Sequence, residues 1–328
     1  MPEPVLKVRD LCVDFHTEEG EVRAVDHLNF DLMPGETLGL VGESGCGKSI
    51  SSLALLGLVP QPPGQVSAQS IELDGKPLHG LNEKQLRQLR GRDISMIFQE
   101  PMTALNPVFS VASQMTDVLR RHQGMSRKQA RQHAIAMLDK VGIPAAASHI
   151  DDYPHELSGG MRQRVMIAMA LSCNPRVLIA DEPTTALDVT TQAQVLEQIQ
   201  KLQRETGTAV IFITHDLGVI AEVCSRAMVM YCGTVVEQSP VEDLFNRPRH
   251  PYTHGLMKAI PTVRADTPEY LPTIPGSVPD LLHLPAGCRF ADRCQYAKTQ
   301  CHETRPELSG GYNEHGYACH FPLEWAPA

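Results

Sequence analysis

The sequence predicts an α/β protein with a mostly parallel sheet, a helical insertion and a loop-rich, cysteine-containing C-terminal module. Three observations carry this prediction. Apolar runs at 37–41, 177–180 and 209–213 lack polar alternation, as strands buried on both faces of a parallel sheet do. Each run is followed by a stretch of helical character, and strands alternating with helices imply crossover connections. Between the first run and its helix lies Gly42-Glu43-Ser44-Gly45-Cys46-Gly47-Lys48-Ser49, which reads G-x-x-x-x-G-K-S in the strand–turn–helix setting that a phosphate-binding loop requires.

The elements follow in order. Residues 5–15 and 24–32 read as strands, with Glu18-Glu19-Gly20-Glu21 as the turn between them. Phe15 closes the first strand, either as an ordinary edge aromatic or as a ring on which adenine can stack. A helix is expected over 50–58, a proline- and glycine-rich loop over 60–64, a strand over 71–73, a short charged helix over 83–90 and a strand over 94–98 that leads to Gln99. Pro101 and Pro107 interrupt regular structure after it. Residues 108–152 read mostly as helix. Within them Ala130, Ala134, Met137, Leu138 and Val141 recur at helical spacing behind Ser126 as N-cap, with Gly142 as terminator. The α/β pattern returns with helices over 160–172, 189–204 and 217–224 and a strand over 227–230. From residue 248 the pattern changes: Pro248, Pro251, Pro261, Pro268, Pro272, Pro275, Pro279 and Pro285 recur and periodicity fades. A domain boundary is placed at 247, dividing 1–247 from 248–328.

Composition narrows the function. The 328 residues allow about two domains. A formal net charge of −9 argues against non-specific nucleic-acid binding. No apolar run approaches the roughly 20 residues of a membrane span, and Met1-Pro2-Glu3-Pro4 lacks the basic and apolar regions of a signal peptide. A cytoplasmic protein is expected, reaching a membrane only through partners.

The motifs supply the chemistry. Glycines curl the loop so that successive amides form a nest for anionic oxygens, and the following helix, entered through Ile50, adds its positive end. Lys48 can reach the β- and γ-phosphates and the Ser49 hydroxyl can ligate Mg²⁺. Asp181 and Glu182 end an apolar strand. One can serve the metal and the other can polarise an attacking water; standing alone they would read as surface carboxylates, and it is the phosphate-binding loop that favours the catalytic reading. Ser158-Gly159-Gly160 opens a second helix whose cap and glycines suit an anion. Two such helix starts cannot easily serve one γ-phosphate within a single chain, but two facing copies can. Asp188 follows closely, and His215 follows the strand 209–213, where a histidine is structural or contacts the γ-phosphate.

In this order the motifs resemble the ATP-binding subunit of ATP-binding cassette (ABC) transporters over residues 5–245. The resemblance implies a P-loop ABC ATPase core with an antiparallel β edge and a helical subdomain at about 108–160. It implies that residues 42–50, Gln99 and Phe15 bind ATP, that Ser49, Gln99 and Asp181 serve Mg²⁺, and that Glu182 is the general base, with His215 on the γ-phosphate. Ser158, Gly159, Gly160 and Asp188 are implied to meet the ATP of the opposite subunit. Met161 departs from the glutamine common at the position after LSGG. The segment Asn246-Arg247-Pro248-Arg249-His250-Pro251-Tyr252-Thr253 resembles that of the dipeptide/oligopeptide (and nickel) importers. That branch implies a second, related ATPase subunit, two integral membrane permease subunits, an external peptide-binding protein and a peripheral place on the cytoplasmic face of the inner membrane. The competing class, a soluble ABC ATPase of repair or translation acting on nucleic acid, usually carries tandem cassettes or a long coiled coil, and neither is present here.

Of nine cysteines, Cys288, Cys294, Cys301 and Cys319 crowd into the last 41 residues. Disulfides are disfavoured in a cytoplasmic protein. Structural zinc usually shows C-x2–4-C pairs, whereas a four-cysteine [4Fe–4S] cluster tolerates irregular spacing. Zinc, cluster and free thiols stay open on the residues alone; the resemblance favours the cluster.

Overall fold

The structure is a computed structural model and describes residues 3–100, 104–184, 187–260, 273–311 and 314–325. Pro101, Pro261, Pro268 and Pro272, named above, lie outside the described residues, as do Met1 and Pro2. The chain divides into two compact units.

One unit comprises residues 1–6, 32–36 and 73–213. Its sheet is parallel: the strand Ile94–Ile97 pairs with Val177–Asp181, and that strand with Ala209–Ile213. Val177, Leu178, Ile179 and Ala180 are all 0% exposed, as the unbroken apolar run requires. Burying the three larger side chains contributes on the order of 5–9 kcal/mol as an upper figure. That is enough to carry the buried carboxylate of Asp181, 4% exposed, at the end of the strand. The stretch read as helical holds the helices Val111–Gln123, Arg127–Lys140 and Ala146–His149. Ser126 does cap the second: its Oγ accepts from the Gln129 amide while Gln129 reaches back to the Ser126 amide, a full capping box. Ala130, Ala134, Met137 and Leu138 are its buried face. The helix Gly159–Leu171 follows and buries residues on most sides, Gln163 among them.

The other unit comprises residues 7–31, 37–72 and 214–328. Here the strand Thr37–Val41 lies parallel to Arg226–Tyr231. Arg226–Tyr231 pairs antiparallel with Thr234–Pro240, which takes Gly316–Tyr317 as its outer neighbour. A second, antiparallel arrangement sets Leu6–Thr17 against Gly64–Ser67, with Phe15 opposite Gly64. The helix Lys48–Leu55 starts directly after the glycine-rich loop. The C-terminal residues are loop-rich but not devoid of helix. Pro251–Lys258 is helical, capped by His250, whose Nδ1 accepts from the Tyr252 amide, with Pro251 in the first turn. Proline is tolerated there because that amide has no helical partner to lose, so the residue that read as a breaker is the one that starts the element.

Candidate functional site

The residues singled out from the sequence fall into both units. In the second unit the loop 42–49 turns through Gly42 at φ 153°, Gly45 at 78° and Gly47 at 103°. Gly42 is obligatory on two counts. Its φ lies in the region that L side chains avoid, and a Cβ there would meet the Met230 carbonyl at 2.2 Å. Lys48 is 6% exposed, and its Nζ donates to the carbonyls of Gly42 (2.8 Å) and Glu43 (3.0 Å). Cys46 is buried beside it, with Sγ 3.5 Å from Nζ, and burial pushes its thiol up. Phe15 is half-buried on its strand, and His215 is exposed just after Thr214. Asp216 next to it caps the helix Leu217–Val223 through the Gly218 and Val219 amides.

In the first unit Asp181 and Glu182 follow the buried strand as expected. The Glu182 amide donates to the Ile213 carbonyl at 2.9 Å, and its side chain accepts from Gln99 Nε2 at 3.0 Å. The structure therefore brings Gln99 and Glu182 together. Glu182 has φ 46°, a left-handed conformation costing about 1–3 kcal/mol in a non-glycine residue, of the kind that clusters at functional positions. Ser158 caps its helix by accepting from the Met161 amide at 3.3 Å. Ser158 and Gly159 are exposed, so this helix start faces outward. Met161 takes part in the cap through its backbone, which any residue supplies. Asp188 caps the helix Val189–Thr206, accepting from the amide and hydroxyl of Thr191; those hydrogen bonds hold its carboxyl below the usual range.

A phosphate loop, a strand ending in Asp-Glu and an exposed Ser-Gly-Gly helix start now stand on one chain. Residues 25–185 match the family model described as ABC transporter, and residues 236–301 match the oligopeptide/dipeptide transporter C-terminal region. A Brucella melitensis protein provisionally named a peptide import ATP-binding protein is 49% identical, covering 97% of both chains. The oligopeptide transport ATP-binding protein OppD of Bacillus subtilis is 50% identical, covering 93% of this chain and 85% of that one. Among solved structures, a dimeric ATP-binding cassette in a post-hydrolysis state with ADP and Pi superposes with a TM-score of 0.65 at 26% identity, over 72% of this chain and 98% of that one.

The chain belongs to the ABC transporter ATP-binding family.

Unlike the core motifs, the C-terminal residues of this ABC ATPase bring in contacts that no motif announced. Arg293 makes a two-pronged ion pair with the Glu43 carboxylate, at 2.7 and 3.1 Å, and the Tyr252 hydroxyl accepts from the Glu43 amide at 3.0 Å. Asp26, 3% exposed, is held by Arg289 and by Arg305 (2.6 Å). Burial pushes the Asp26 carboxyl up, but the hydrogen bond and charge of Arg305, with Arg289, outweigh it and leave it below the usual range. Tyr252 lay within the importer-like segment. Arg293 had no signal except its place beside Cys294.

The four cysteines Cys288, Cys294, Cys301 and Cys319 line a single small cavity together with His250, Phe290 and His320. The Cys288 amide donates to the Cys301 carbonyl at 2.7 Å. A Cβ at Gly287 would lie 2.2 Å from that same carbonyl, so only glycine permits this approach. Burial pushes up the thiols of Cys288, Cys294 and Cys319, the last to about 12, with neighbouring thiols adding to it. Among the described residues, the only trio of His, Cys, Asp or Glu with ligand atoms all within 4.8 Å of one another is Cys12, Asp26 and His27. The terminal cysteines line one cavity but do not form such a trio. His315 pairs with Glu237 and His302 lies near Asp292, so both are engaged elsewhere.

Proposed function

We propose that this chain hydrolyses ATP to energise the uptake of di- or oligopeptides, acting as a peripheral subunit on the cytoplasmic face of the membrane. The observation that carries this is the match of residues 236–301 to the oligopeptide/dipeptide transporter C-terminal region, on a chain that also matches the ABC transporter family and in which Gln99 donates to Glu182. Among the described residues no helix is long and apolar enough to cross a membrane, so the pore belongs to partners. Phe98, Val108 and Phe109 are exposed apolar side chains flanking the Gln99 loop and give permease subunits a surface to grip.

In this reading Lys48 and the amides of the phosphate loop hold the ATP phosphates, with adenine on Phe15. Ser49, Asp181 and Gln99 serve Mg²⁺, which neutralises phosphate charge when bound. Glu182 takes the proton of the attacking water, and His215 steadies the γ-phosphate. Ser158, Gly159, Gly160 and Asp188 act on ATP held by a second, related ATPase subunit. The outward-facing helix start supports that last assignment, because Ser158 and Gly159 are exposed and the positive end of a helix favours an anion.

Cys288, Cys294, Cys301 and Cys319 are assigned as ligands of a [4Fe–4S] cluster. Support comes from the one cavity that all four cysteines line and from the irregular spacing that a four-cysteine cluster tolerates. When bound, such a cluster cross-links segments of a module with little apolar core. Anaerobically purified protein should be brown, with absorption near 400 nm; a colourless preparation with stoichiometric zinc would sink this assignment.

Affinity purification of the tagged chain from detergent-solubilised membranes tests the function. Recovery of integral membrane subunits and a second ATPase is the expected result. Recovery with nucleic acid and no membrane protein would overturn it in favour of a repair or translation ATPase.

A further inference from the structure

We propose that Tyr252 and Arg293 are positioning residues of the ATP site: through Glu43 they hold the phosphate loop in its binding shape, so that the C-terminal module sets nucleotide affinity. The inference rests on the phosphate loop binding ATP, as read above.

Glu43 is the second residue of the loop and is held at three points. Its carbonyl accepts from Lys48 Nζ, its amide donates to the Tyr252 hydroxyl, and its carboxylate receives both prongs of Arg293. The last two anchors come from residues 209 and 250 positions away in the chain. Both are rigid. Tyr252 is 0% exposed and packs at a tilt against Tyr231 and Phe290, with ring centroids 4.6 and 5.3 Å away. The Arg293 side chain is 5% exposed. It lies over the rings of Tyr231 and Phe290 and donates from Nε to the Pro275 carbonyl. A planar guanidinium fixed in this way presents two parallel donors and so sets the direction of the carboxylate, not only its position.

The consequence is functional because Lys48 has two tasks. It braces the carbonyls of residues 42 and 43, and it must also face the phosphates of bound ATP. When it turns to them, the strained turn at Gly42 keeps its shape only if Glu43 is anchored by something else, and Tyr252 and Arg293 are that anchor. They also give the cysteine-bearing module a direct line to the nucleotide, since Arg293 sits in the turn Ala291–Arg293, next to Cys294.

The test uses the full chain and titration with Mg-ATP carrying a fluorescent label. Tyr252→Phe deletes one oxygen from a packed ring; Arg293→Gln and Glu43→Gln remove the ion pair from either side. Each is expected to raise the Kd for ATP by 5- to 20-fold, and E43Q/R293Q is expected to bind no more weakly than R293Q. That non-additivity is what a merely structural role for Arg293 does not produce. If R293Q fails to fold, Y252F carries the test alone. Wild-type-like Kd values, within twofold, in Y252F and R293Q overturn the proposal, as do losses that multiply in the double variant. A wild-type chain that does not bind ATP overturns the underlying reading instead.

Discussion

Replacing Glu182 by Gln isolates the chemical step. The exchange keeps the size of the side chain, and its amide oxygen can still accept from Gln99 Nε2 as the carboxylate does at 3.0 Å. The left-handed backbone at φ 46° costs the same in both residues, so the folded state is not expected to change measurably. Only proton acceptance is lost. General-base assistance contributes typically 10²–10⁴-fold, or about 3–5 kcal/mol at roughly 1.4 kcal/mol per decade. ATP turnover, read as phosphate release, should fall by that factor while the Kd for ATP stays within twofold. Since binding remains intact, E182Q should also accumulate with its partner subunit in an ATP-dependent dimer on size exclusion. Turnover within threefold of wild type, at equal occupancy, would refute the assignment of Glu182 as base.

Other expectations follow from the same contacts. Asp26→Asn leaves the guanidinium of Arg289, 10% exposed, without its counter-charge, and breaking such a buried pair costs about 3–5 kcal/mol; the melting temperature should drop by several degrees. The Asp26 carboxyl is held below its unfolded value of about 3.9. Its contribution is therefore complete above that value and is lost as pH falls through the folded one, so the gap between wild type and D26N should close below about pH 4 in pH-resolved melting curves. Cys319→Ser should remove most of the absorption near 400 nm and loosen the C-terminal module to protease, with ATP still bound at residues 42–49 but at a raised Kd, because Arg293 next to Cys294 braces Glu43. Ser158→Ala removes a helix cap, costing about 1 kcal/mol of stability, yet should abolish ATP-dependent dimerisation, which analytical ultracentrifugation would register.

How far the sequence could be read depended on whether a feature is local. The strands Thr37–Val41, Val177–Asp181 and Ala209–Ile213 were legible because burial on both faces leaves unbroken apolar runs, with polar residues only at the ends, Thr37 and Asp181. Ser126 was legible because a capping box closes within four residues. Thr234–Pro240 was not. It carries Glu237, which looks like a solvent residue and is 0% exposed. Its carboxylate is satisfied by the amides of Arg249 and His250 and by His315, partners that no spacing rule connects. The site divides in the same way. Lys48 starts a recognisable helix and Asp181 and Glu182 stand at the end of a recognisable strand, whereas Tyr252 and Arg293 contact Glu43 from more than 200 residues away, and only folding brings them there.

Uptake of a radiolabelled dipeptide or oligopeptide into cells lacking this chain, complemented with either wild type or E182Q, tests the central claim most directly. Accumulation should be restored by wild type and not by E182Q, although both are present at the membrane in equal amount. Uptake that persists without the chain, or that E182Q restores in full, would contradict a role in energising peptide import.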